Sequence, residues 1–471
     1  MKTFIHILDN DSLLNIFYLC RPIILDEDEV EPNRILQGGS WVRERWWYKL
    51  VQVCRRWRYR ILASASHLGL SLLCTYRTPV ADMLAHSPPL PLVIDYINVD
   101  HDIAAEEEEG IMFALQHHSR VRRVRLLMSF PKLQKLISAI DGEFPMLEYL
   151  YIAPPDKHDF RLILPKTILA SNLRHLVLKR FAFPIGPPLL TTATGLTTLS
   201  LMKIRPSEFI HPNNLLQRLS LLPQLETLGV TFDSPVPSRD VERQLMAAPI
   251  TAYVTFPHLH WFAFGGPSTY LEALLPRLTM PLLERLQIIF FHQLNFSVPR
   301  LVQFMGAIQN LRLGKVKLQF SNNLLYALVH PHEGAAIYSF SLEAHCRHID
   351  WMVASATQIF RTLRPVFSAV EHLTLDFLRD AIASDTNDEA DPIQWRELFR
   401  SFGNVKTLRV DSDFLTQVSR SLQVDDGGSP MGLLPELKKL EYNGDRIASN
   451  SFDAFINARN NAGHSVALVR Y

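Results

Sequence analysis

The chain has 471 residues, of which 47% are hydrophobic and 20% are charged. Its 48 lysine and arginine residues balance 47 aspartate and glutamate residues, and the net charge near +1 excludes a general electrostatic attraction to nucleic acid or to an anionic membrane. Because a single compact core stops growing at roughly 250–300 residues, a chain of this length either divides into domains or grows by repetition.

Signals for export, membrane insertion and disulfides are weak. The first residues are too short and too polar a stretch for a secretory signal, and no run of about 18 apolar residues occurs that could span a membrane. The cysteines Cys20, Cys54, Cys74 and Cys346 lack the spacing of a zinc site or a disulfide framework. We therefore expect a protein of the cytoplasm, the nucleus or both.

Two amphipathic helices are predicted near the start of the chain. The first spans residues 8–19 and can be capped by Asp9 or Asp11. Its broad apolar face comprises Leu13, Leu14, Ile16, Phe17 and Cys20. The second, Trp46 to Leu62, has apolar residues at helical spacing at Leu50, Val53, Cys54, Trp57 and Ile61. Two or three helices bury only a small core, so we expect a partner protein to cover part of their apolar surface. The alternative is that the same residues form only the interior of a small helical cap.

These helices resemble the F-box, a module that docks on the small adaptor of Skp/cullin/F-box ubiquitin ligases. Leu8 and the LLNIFYL stretch match its first helix, and its V-C-R-x-W segment is matched by Leu50, Val53, Cys54, Arg55, Trp57 and Arg58. Asp9 replaces the usual proline, and an acidic insertion lies near residues 25–40, so the chain is similar to divergent F-box-like proteins of fungi. The resemblance implies adaptor binding through Leu8, Leu13, Leu14, Ile16, Phe17, Leu50, Val53, Cys54 and Trp57.

Residues 67–120 are predicted to connect the helical module of residues 1–66 to the rest of the chain. The prolines of Ser87 to Pro91 interrupt any regular element there, and Leu92 to Ile97 is predicted as a first, atypical strand. The acidic run Glu106 to Glu109 complements the N-terminal dipole of a helix. We expect this segment to cap the next domain.

A repeated pattern begins near residue 121: apolar, two others, apolar, one other, apolar, which is the strand signature of leucine-rich repeats. It recurs at intervals of 23 to 35 residues. The twelve instances begin at Val121, Leu147, Leu173, Leu196, Leu225, Leu259, Leu283, Ile308, Ile337, Val370, Val405 and Leu437. Five of them follow an apolar residue and a proline, and because proline fixes φ and lacks an N–H, we expect it to admit the chain directly to the first residue of a strand.

The segments between these strands show helical spacing, as at Leu271, Leu274 and Leu275. The predicted fold class is therefore α/β, with a short all-helical N-terminal F-box-like module followed by an irregular leucine-rich-repeat solenoid of about twelve units over residues 121–471, with a parallel inner sheet and outer helices. Insertions are predicted at Ser384 to Pro392 and at Asp425 to Pro430, and a final strand at Ser465 to Tyr471.

An F-box followed by leucine-rich repeats is a known family arrangement, and it implies a non-catalytic subunit that recruits a protein substrate to a cullin ligase through a Skp-type adaptor. The alternatives are a repeat scaffold without a ligase role and an enzyme whose site converges from distant strands. No cofactor, metal or nucleic acid is expected: the His345, Cys346 and His348 group is a short metal-site match, and the two arginine clusters, Arg55 to Arg60 and Arg120 to Arg125, are read as solvated faces.

The substrate is not identifiable from the sequence. Repeat proteins contact partners through exposed side chains between the leucines of the inner sheet. By geometry alone, the candidate positions are Arg174, His175, Val177, Glu226, Thr227, Gly229, Arg285 and Gln287.

Overall fold

A computed structural model describes most of the chain. The described residues are 8–22, 45–97, 103–155, 162–182, 188–205, 210–233, 249–290, 297–311, 313–321, 324–332, 337–345, 349–378, 392–423, 432–443 and 450–471. The predicted acidic insertion near residues 25–40, nearly all of the predicted loop Ser384 to Pro392, the loop Asp425 to Pro430, and Cys346 and His348 lie outside the described residues.

Over the described residues the fold is mixed α/β, and sixteen strands belong to one mostly parallel sheet. The helices are α1 (Asn10–Leu19), α2 (Arg55–Ala63), α3 (Val80–His86), α4 (Ala105–Gln116), α5 (Phe130–Ala139), α6 (Pro188–Thr192), α7 (Pro212–Leu219), α8 (Ser268–Leu274), α9 (Pro299–Ala307), α10 (Ile349–Leu363), α11 (Pro392–Phe399), α12 (Leu415–Leu422) and α13 (Asp453–Asn461). The strands are β1 (Leu72–Cys74), β2 (Leu92–Ile97), β3 (Val121–Leu127), β4 (Tyr149–Ala153), β5 (Leu162–Ile163), β6 (His175–Lys179), β7 (Phe181–Ala182), β8 (Thr198–Ile204), β9 (Thr227–Phe232), β10 (Val254–Thr255), β11 (Trp261–Gly266), β12 (Leu278–Thr279), β13 (Arg285–Phe290), β14 (Lys315–Phe320), β15 (Leu324–His330), β16 (Phe340–His345), β17 (His372–Phe377), β18 (Thr407–Val410), β19 (Lys439–Tyr442) and β20 (Ala467–Arg470).

The chain divides into two compact units. The first comprises Met1–Glu208 with Arg218–Thr227, and the second comprises Phe209–Gln217 with Leu228–Tyr471. In the first unit the strands β1, β2, β3, β4, β6 and β8 are neighbours in that order, and each pair is parallel. The atypical strand predicted at Leu92 to Ile97 is confirmed as β2, whereas β1 was not predicted.

In the second unit an antiparallel hairpin interrupts the parallel order. Strand β13 pairs in parallel with β16, β16 and β14 each pair antiparallel with β15, and β14 then pairs in parallel with β17. Strands β17, β18, β19 and β20 continue in parallel. Successive helices of this unit, α9 to α12, pack side by side, so the apolar face of the sheet is buried beneath a helical layer.

The leucine pattern predicts strands correctly at eleven of its twelve positions. The final strand predicted separately at Ser465 to Tyr471 is confirmed as β20. The one remaining prediction, a strand at Ile308, is wrong. The described residues around Ile308 form a turn, and the next strand begins only at Lys315. Residues 315–320 and 324–330 alternate polar and apolar side chains with a period of two, which is the stronger β signal. They pair with each other as the hairpin β14–β15.

The prolines that precede the strands have a different position from the one predicted. At Phe144-Pro145 the amide of Leu147 donates to the carbonyl of Phe144 at 3.2 Å, and the amide of Leu437 donates likewise to Leu434 at 3.0 Å. Proline therefore occupies the second residue of a β-turn, where its fixed φ is favourable. The strand starts four residues after the proline rather than directly behind it, and the first leucine of the pattern closes the turn.

The predicted helix Trp46 to Leu62 is also corrected. Residues 45–49 form turns, Leu50–Gln52 is a short 3₁₀ helix, and α2 begins only at Arg55. Cys54 is extended, with φ −160° and ψ 168°, and its sulfur accepts the Trp57 amide at 3.5 Å as an N-cap. Leu50 and Val53 therefore do not share one helix face with Trp57.

Gly314 is required by the close approach of two backbone segments at the start of the hairpin. Its amide donates to the His330 carbonyl at 2.9 Å, and a Cβ there would lie 2.5 Å from the Pro331 carbonyl oxygen. We expect Gly314→Ala to lower the free energy of unfolding by about 1–3 kcal/mol. The added Cβ clashes with the Pro331 carbonyl oxygen, and that oxygen can move away only if the backbone of the hairpin shifts. Urea denaturation followed by circular dichroism measures this change.

The control is Gly306→Ala in α9, where a Cβ would meet nothing within 4 Å. Alanine is the better helix former, so this variant should be as stable as the wild type or more stable by up to about 1 kcal/mol. Equal denaturation midpoints for Gly314→Ala and the wild type would contradict the steric account.

Candidate functional site

The N-terminal helix α1 starts with a well-formed cap. The carboxylate of Asp9 accepts the Ser12 amide at 2.8 Å and the Ser12 hydroxyl at 2.9 Å. The hydrogen bond from the Ser12 amide lowers the pKa of Asp9, so the cap carries a negative charge at the positive end of the helix. Helix α1 is thus specified locally by residues 9–12.

Helix α1 packs against α2 through one aromatic contact and one polar tie. Phe17 is fully buried and its ring meets Trp57 edge-on, with centroids 4.9 Å apart. The Arg56 guanidinium donates to the Leu8 carbonyl at 2.5 Å and to the Asn10 side-chain oxygen at 3.1 Å. We call α1, α2 and the 3₁₀ turn between them the helical module.

The structure distributes the nine predicted adaptor-binding residues over the interior and the surface of this module. Leu13 and Phe17 are buried, while Ile16 and Val53 are 39% and 57% exposed. The half-buried residues are Leu8, Leu14, Leu50, Cys54 and Trp57. Sequence reasoning did not include Leu19, which is 82% exposed and lies one turn after Ile16.

The sheet surface differs between the two units. In the first unit, strand positions between the leucines are largely apolar and buried, as for Tyr149, Tyr151 and Val177. The charged pair Asp95–Arg125, with 3.1 Å between carboxylate and guanidinium, is buried as well. These positions therefore belong to the core of the first unit.

On β14, β17, β18 and β19 of the second unit, the same strand positions carry polar side chains in two registered rows. One row comprises Lys315, His372, Thr407 and Lys439, and the other comprises Lys317, Thr374, Arg409 and Glu441. Neighbouring strands lie about 4.8 Å apart, so residues of one row are within reach of each other. We call this surface of β14, β17, β18 and β19 the polar face.

Ion pairs order part of the polar face. Lys317 contacts the Asp376 carboxylate at 2.8 Å, and the Gln319 amide donates to the same carboxylate at 3.1 Å. Burial raises the pKa of Asp376, but these hydrogen bonds outweigh it and hold the pKa below its ordinary value. Lys439 contacts Glu441 at 2.6 Å. These pairs order the side chains of the polar face.

A pocket of about 100 Å³ opens at the centre of the polar face. It is lined by Lys315, His372, Leu373, Thr374, Thr407, Arg409, Lys439 and Glu441. The guanidinium carbon of Arg409 lies 3.4 Å from the centre of the Tyr471 ring, which holds the side chain in place. The pocket thus gathers cations and hydroxyl groups from four strands.

The sequence-derived substrate positions are only partly accessible. Val177 and Gly229 are buried, which removes them as contact residues, because the first unit covers Val177 within its core and Gly229 lies inside the sheet. The other six are exposed or half-buried: Arg174, His175, Glu226, Thr227, Arg285 and Gln287. The alternation of KVKLQF at residues 315–320 was the available signal for the polar face.

The described part of the chain lacks the features of a metal site and of a membrane span. There, no group of three or more His, Cys, Asp or Glu residues is arranged to hold a metal ion. His345 instead contacts the Glu343 carboxylate at 3.1 Å. Within the same residues, every helix is too short or too polar to cross a bilayer.

Comparison with protein-family models and with curated protein sequences finds no match to this chain.

Proposed function

We propose that the chain is a non-catalytic substrate-recognition subunit of a Skp/cullin/F-box type ubiquitin ligase, acting in the cytoplasm or the nucleus. In this proposal the helical module is a divergent F-box that binds a Skp-type adaptor, and through it a cullin. The repeated strand and helix units form a leucine-rich-repeat solenoid that holds a protein substrate. No residue of the chain takes part in ubiquitin transfer.

The observation that carries the proposal is the apolar surface of the helical module. Phe17 and Trp57 complete the internal packing of the module, yet Ile16, Leu19 and Val53 still expose apolar side chains beside them. A helix pair that has satisfied its own core and still presents leucine and valine to water is typical of a partner-binding element. An adaptor helix is the partner that the F-box resemblance implies.

The repeat architecture supports the recruiting role. Strands recur behind the same turn in successive units, and their pairing is parallel except at the hairpin. Such arrays bury leucines in a shared core and leave the intervening side chains free to vary. Holding a substrate near the ubiquitin carrier raises its effective concentration, which is the whole of the mechanism.

A repeat scaffold without a ligase role is the second candidate. It is favoured by the burial of Leu13 and Phe17, because two of the nine predicted contact residues are used inside the module. In that case α1 and α2 serve only as a cap on the first unit. Adaptor binding separates the two candidates.

We expect the purified chain to capture a purified Skp-type adaptor, and the double variant Leu19→Asp with Val53→Asp to lose about tenfold or more of the affinity. Each of these side chains contributes on the order of 1.5 kcal/mol or more when an interface buries it, and aspartate opposes that burial. Neither residue belongs to the module core, so the variant should stay folded. Biolayer interferometry with immobilised adaptor measures the change.

The matched control is Ile337→Asp with Ile393→Asp, which alters two apolar residues of the second unit that are 58% and 63% exposed. It should bind the adaptor like the wild type. If the wild type captures no adaptor, the ligase proposal is wrong and the scaffold candidate replaces it.

A further inference from the structure

We infer that Thr78 is a phosphorylation site for a proline-directed protein kinase, and that its phosphate binds the guanidinium of Arg45. The inference goes beyond the proposed function and does not depend on it. Thr78 lies in the turn between β1 and α3, in contact with the segment that leads into the helical module.

A proline follows Thr78, as proline-directed kinases require. Four serine or threonine residues of the chain precede a proline: Thr78, Ser87, Ser234 and Ser429. The last two lie outside the described residues. The proline lacks an N–H and biases the residue before it toward an extended backbone, so the dipeptide suits a kinase cleft that offers no hydrogen-bond acceptor at the following residue. Thr78 and Ser87 are therefore the two sites that the structure can compare.

A contact with Arg45 distinguishes Thr78 from Ser87. The Arg45 guanidinium donates to the Thr78 hydroxyl at 3.0 Å. Its Nε is buried, and within the described residues this nitrogen has no hydrogen-bond acceptor and the guanidinium has no carboxylate partner. At the other site, Arg120 donates to two backbone carbonyls rather than to the Ser87 hydroxyl.

The half-buried Arg45 side chain thus meets a neutral hydroxyl where a cation favours an anion. A guanidinium has five N–H donors, and the Thr78 hydroxyl accepts from one of its nitrogens. A phosphate on Thr78 carries up to two negative charges and three acceptor oxygens, so two of these oxygens can accept from Nε and a terminal nitrogen of Arg45 together. Arg77, the preceding residue, is exposed and adds a second cation.

One carboxylate near the turn opposes the phosphate. Glu107 in α4 accepts the amide of Arg77 with one oxygen and the amide of Ala104 with the other, each at 2.9 Å. Both oxygens are therefore engaged by backbone donors. Because the guanidinium groups of Arg45 and Arg77 stand against this single carboxylate, the charge around Thr78 favours the phosphorylated form.

Phosphoryl transfer to Thr78 requires ATP and an accessible turn. Thr78 is half-buried between the exposed residues Arg77 and Pro79. Its amide donates to the Thr75 carbonyl at 3.1 Å, and a surface turn closed in this way opens at low free energy. The Thr78 hydroxyl oxygen then attacks the γ-phosphorus of ATP, the bond from that phosphorus to ADP breaks, and the hydroxyl proton passes to the catalytic aspartate of the kinase.

The phosphate fastens the segment before the helical module to the first sheet. Trp47 is buried, and its indole N–H donates to the carbonyl of Ser71, directly before β1, at 3.2 Å. The amides of Tyr48 and Leu50 donate to the carbonyls of Arg45 and Trp47 at 3.1 and 3.0 Å. A charge-assisted pair at Arg45 is stronger than a bond to a neutral hydroxyl, so it protects these amides from exchange.

The test treats the purified full chain with Mg²⁺, ATP and, in separate reactions, a mitogen-activated and a cyclin-dependent protein kinase. We expect mass spectrometry to find phosphate on Thr78. Hydrogen–deuterium exchange should then show about tenfold greater protection of the Tyr48 and Leu50 amides than before phosphorylation. Thr78→Ala, which keeps the other three acceptors, should show no gain, whereas the matched control Ser87→Ala should show the full gain.

Variants of Arg45 test the acceptor of the phosphate. Arg45→Gln should still be phosphorylated at Thr78, but its gain should fall to within about twofold of its own unphosphorylated state. Arg45→Lys keeps the charge without the planar fork and should keep part of the gain. In the wild type the gain should shrink between about 0.1 and 1 M salt, because screening weakens a half-buried charge pair.

Three results would overturn the inference. The first is that neither kinase phosphorylates Thr78 in the folded chain. The second is that phosphorylation leaves the protection of the Tyr48 and Leu50 amides unchanged or lowers it. The third is that Arg45→Gln gains as much protection as the wild type.

Discussion

Replacement of Trp395 by alanine is expected to destabilise the second unit by about 3–5 kcal/mol, the usual cost of removing a large buried aromatic side chain. Trp395 lies in α11 and is fully buried. Its ring centre lies 5.6 Å from that of Phe320 in the hairpin and 5.5 Å from that of Phe414 before α12. The tryptophan therefore joins the hairpin, α11 and α12 in one aromatic cluster.

The cavity left by Trp395→Ala cannot close easily. Phe320 and Phe414 also contact each other at 5.1 Å, so neither ring is free to move into the vacated volume. The indole N–H donates to Gln417 at 3.2 Å, and its loss leaves that amide oxygen without this donor. The lost packing and the lost hydrogen bond both lower the free energy of unfolding, and the lost packing is the larger of the two.

Urea denaturation and hydrogen exchange of α11 and α12 measure the effect of Trp395→Ala. The control is Ile393→Ala in the same helix, where the side chain is largely exposed and the change should be within about 0.5 kcal/mol. Trp395→Phe should fall between them, since it keeps most of the ring contacts and loses the bond to Gln417. Denaturation of Trp395→Ala at the wild-type midpoint would show that the cluster is not the core of this unit.

The repeat strands were predictable because each demands the same spacing of buried side chains. At Leu147 and Leu437 the pattern marks a turn and a strand whose apolar residues must face the helices, and a shift by one residue would expose them. The spacing alone does not separate turn from strand, so β4 and β19 each begin two residues later than predicted. Ile308 fits the same spacing, and only the pairing of β14 with β15 reveals that this unit is built differently.

The break at Cys54 could not be foreseen from periodicity. Leu50, Val53, Trp57 and Ile61 have helical spacing whether or not the backbone is continuous between them. The extended conformation of Cys54 depends on its sulfur accepting the Trp57 amide, which is an uncommon cap. This break leaves Val53 on the surface of the module.

The pocket on the polar face was beyond sequence reasoning for another reason. Its cations lie at Lys315, Arg409 and Lys439, on strands that are distant in the chain. Only the register of β14 against β17, and of β17 against β18 and β19, brings them together. The hairpin makes β14 the neighbour of β17. The sequence predicted a strand at Ile308 instead of this hairpin, and that prediction was wrong.

Phe17→Ala is expected to release α1 from the helical module. Phe17 is the fully buried partner of Trp57, and its truncation should cost about 3–5 kcal/mol of local stability. The remaining ties are the bonds from Arg56 to Leu8 and Asn10 and the contact of Leu13, and polar bonds near the surface contribute only about 1 kcal/mol each. These ties do not replace the aromatic contact, so α1 should open.

Hydrogen–deuterium exchange of residues 10–19 reports this opening, and their protection should fall by about two orders of magnitude or more, as 3–5 kcal/mol implies. Strands β2 and β3 should keep their protection, because they pair with each other and with β1 and β4 in the sheet. The control Leu19→Ala changes a side chain that points to solvent and should leave the protection of α1 unchanged. Under the proposed function it should still weaken adaptor capture, whereas Phe17→Ala weakens capture by unfolding the helix. Wild-type protection in Phe17→Ala would mean that contacts other than the Phe17–Trp57 pair hold α1, and the division of the module into a buried core and an exposed docking surface would then be wrong.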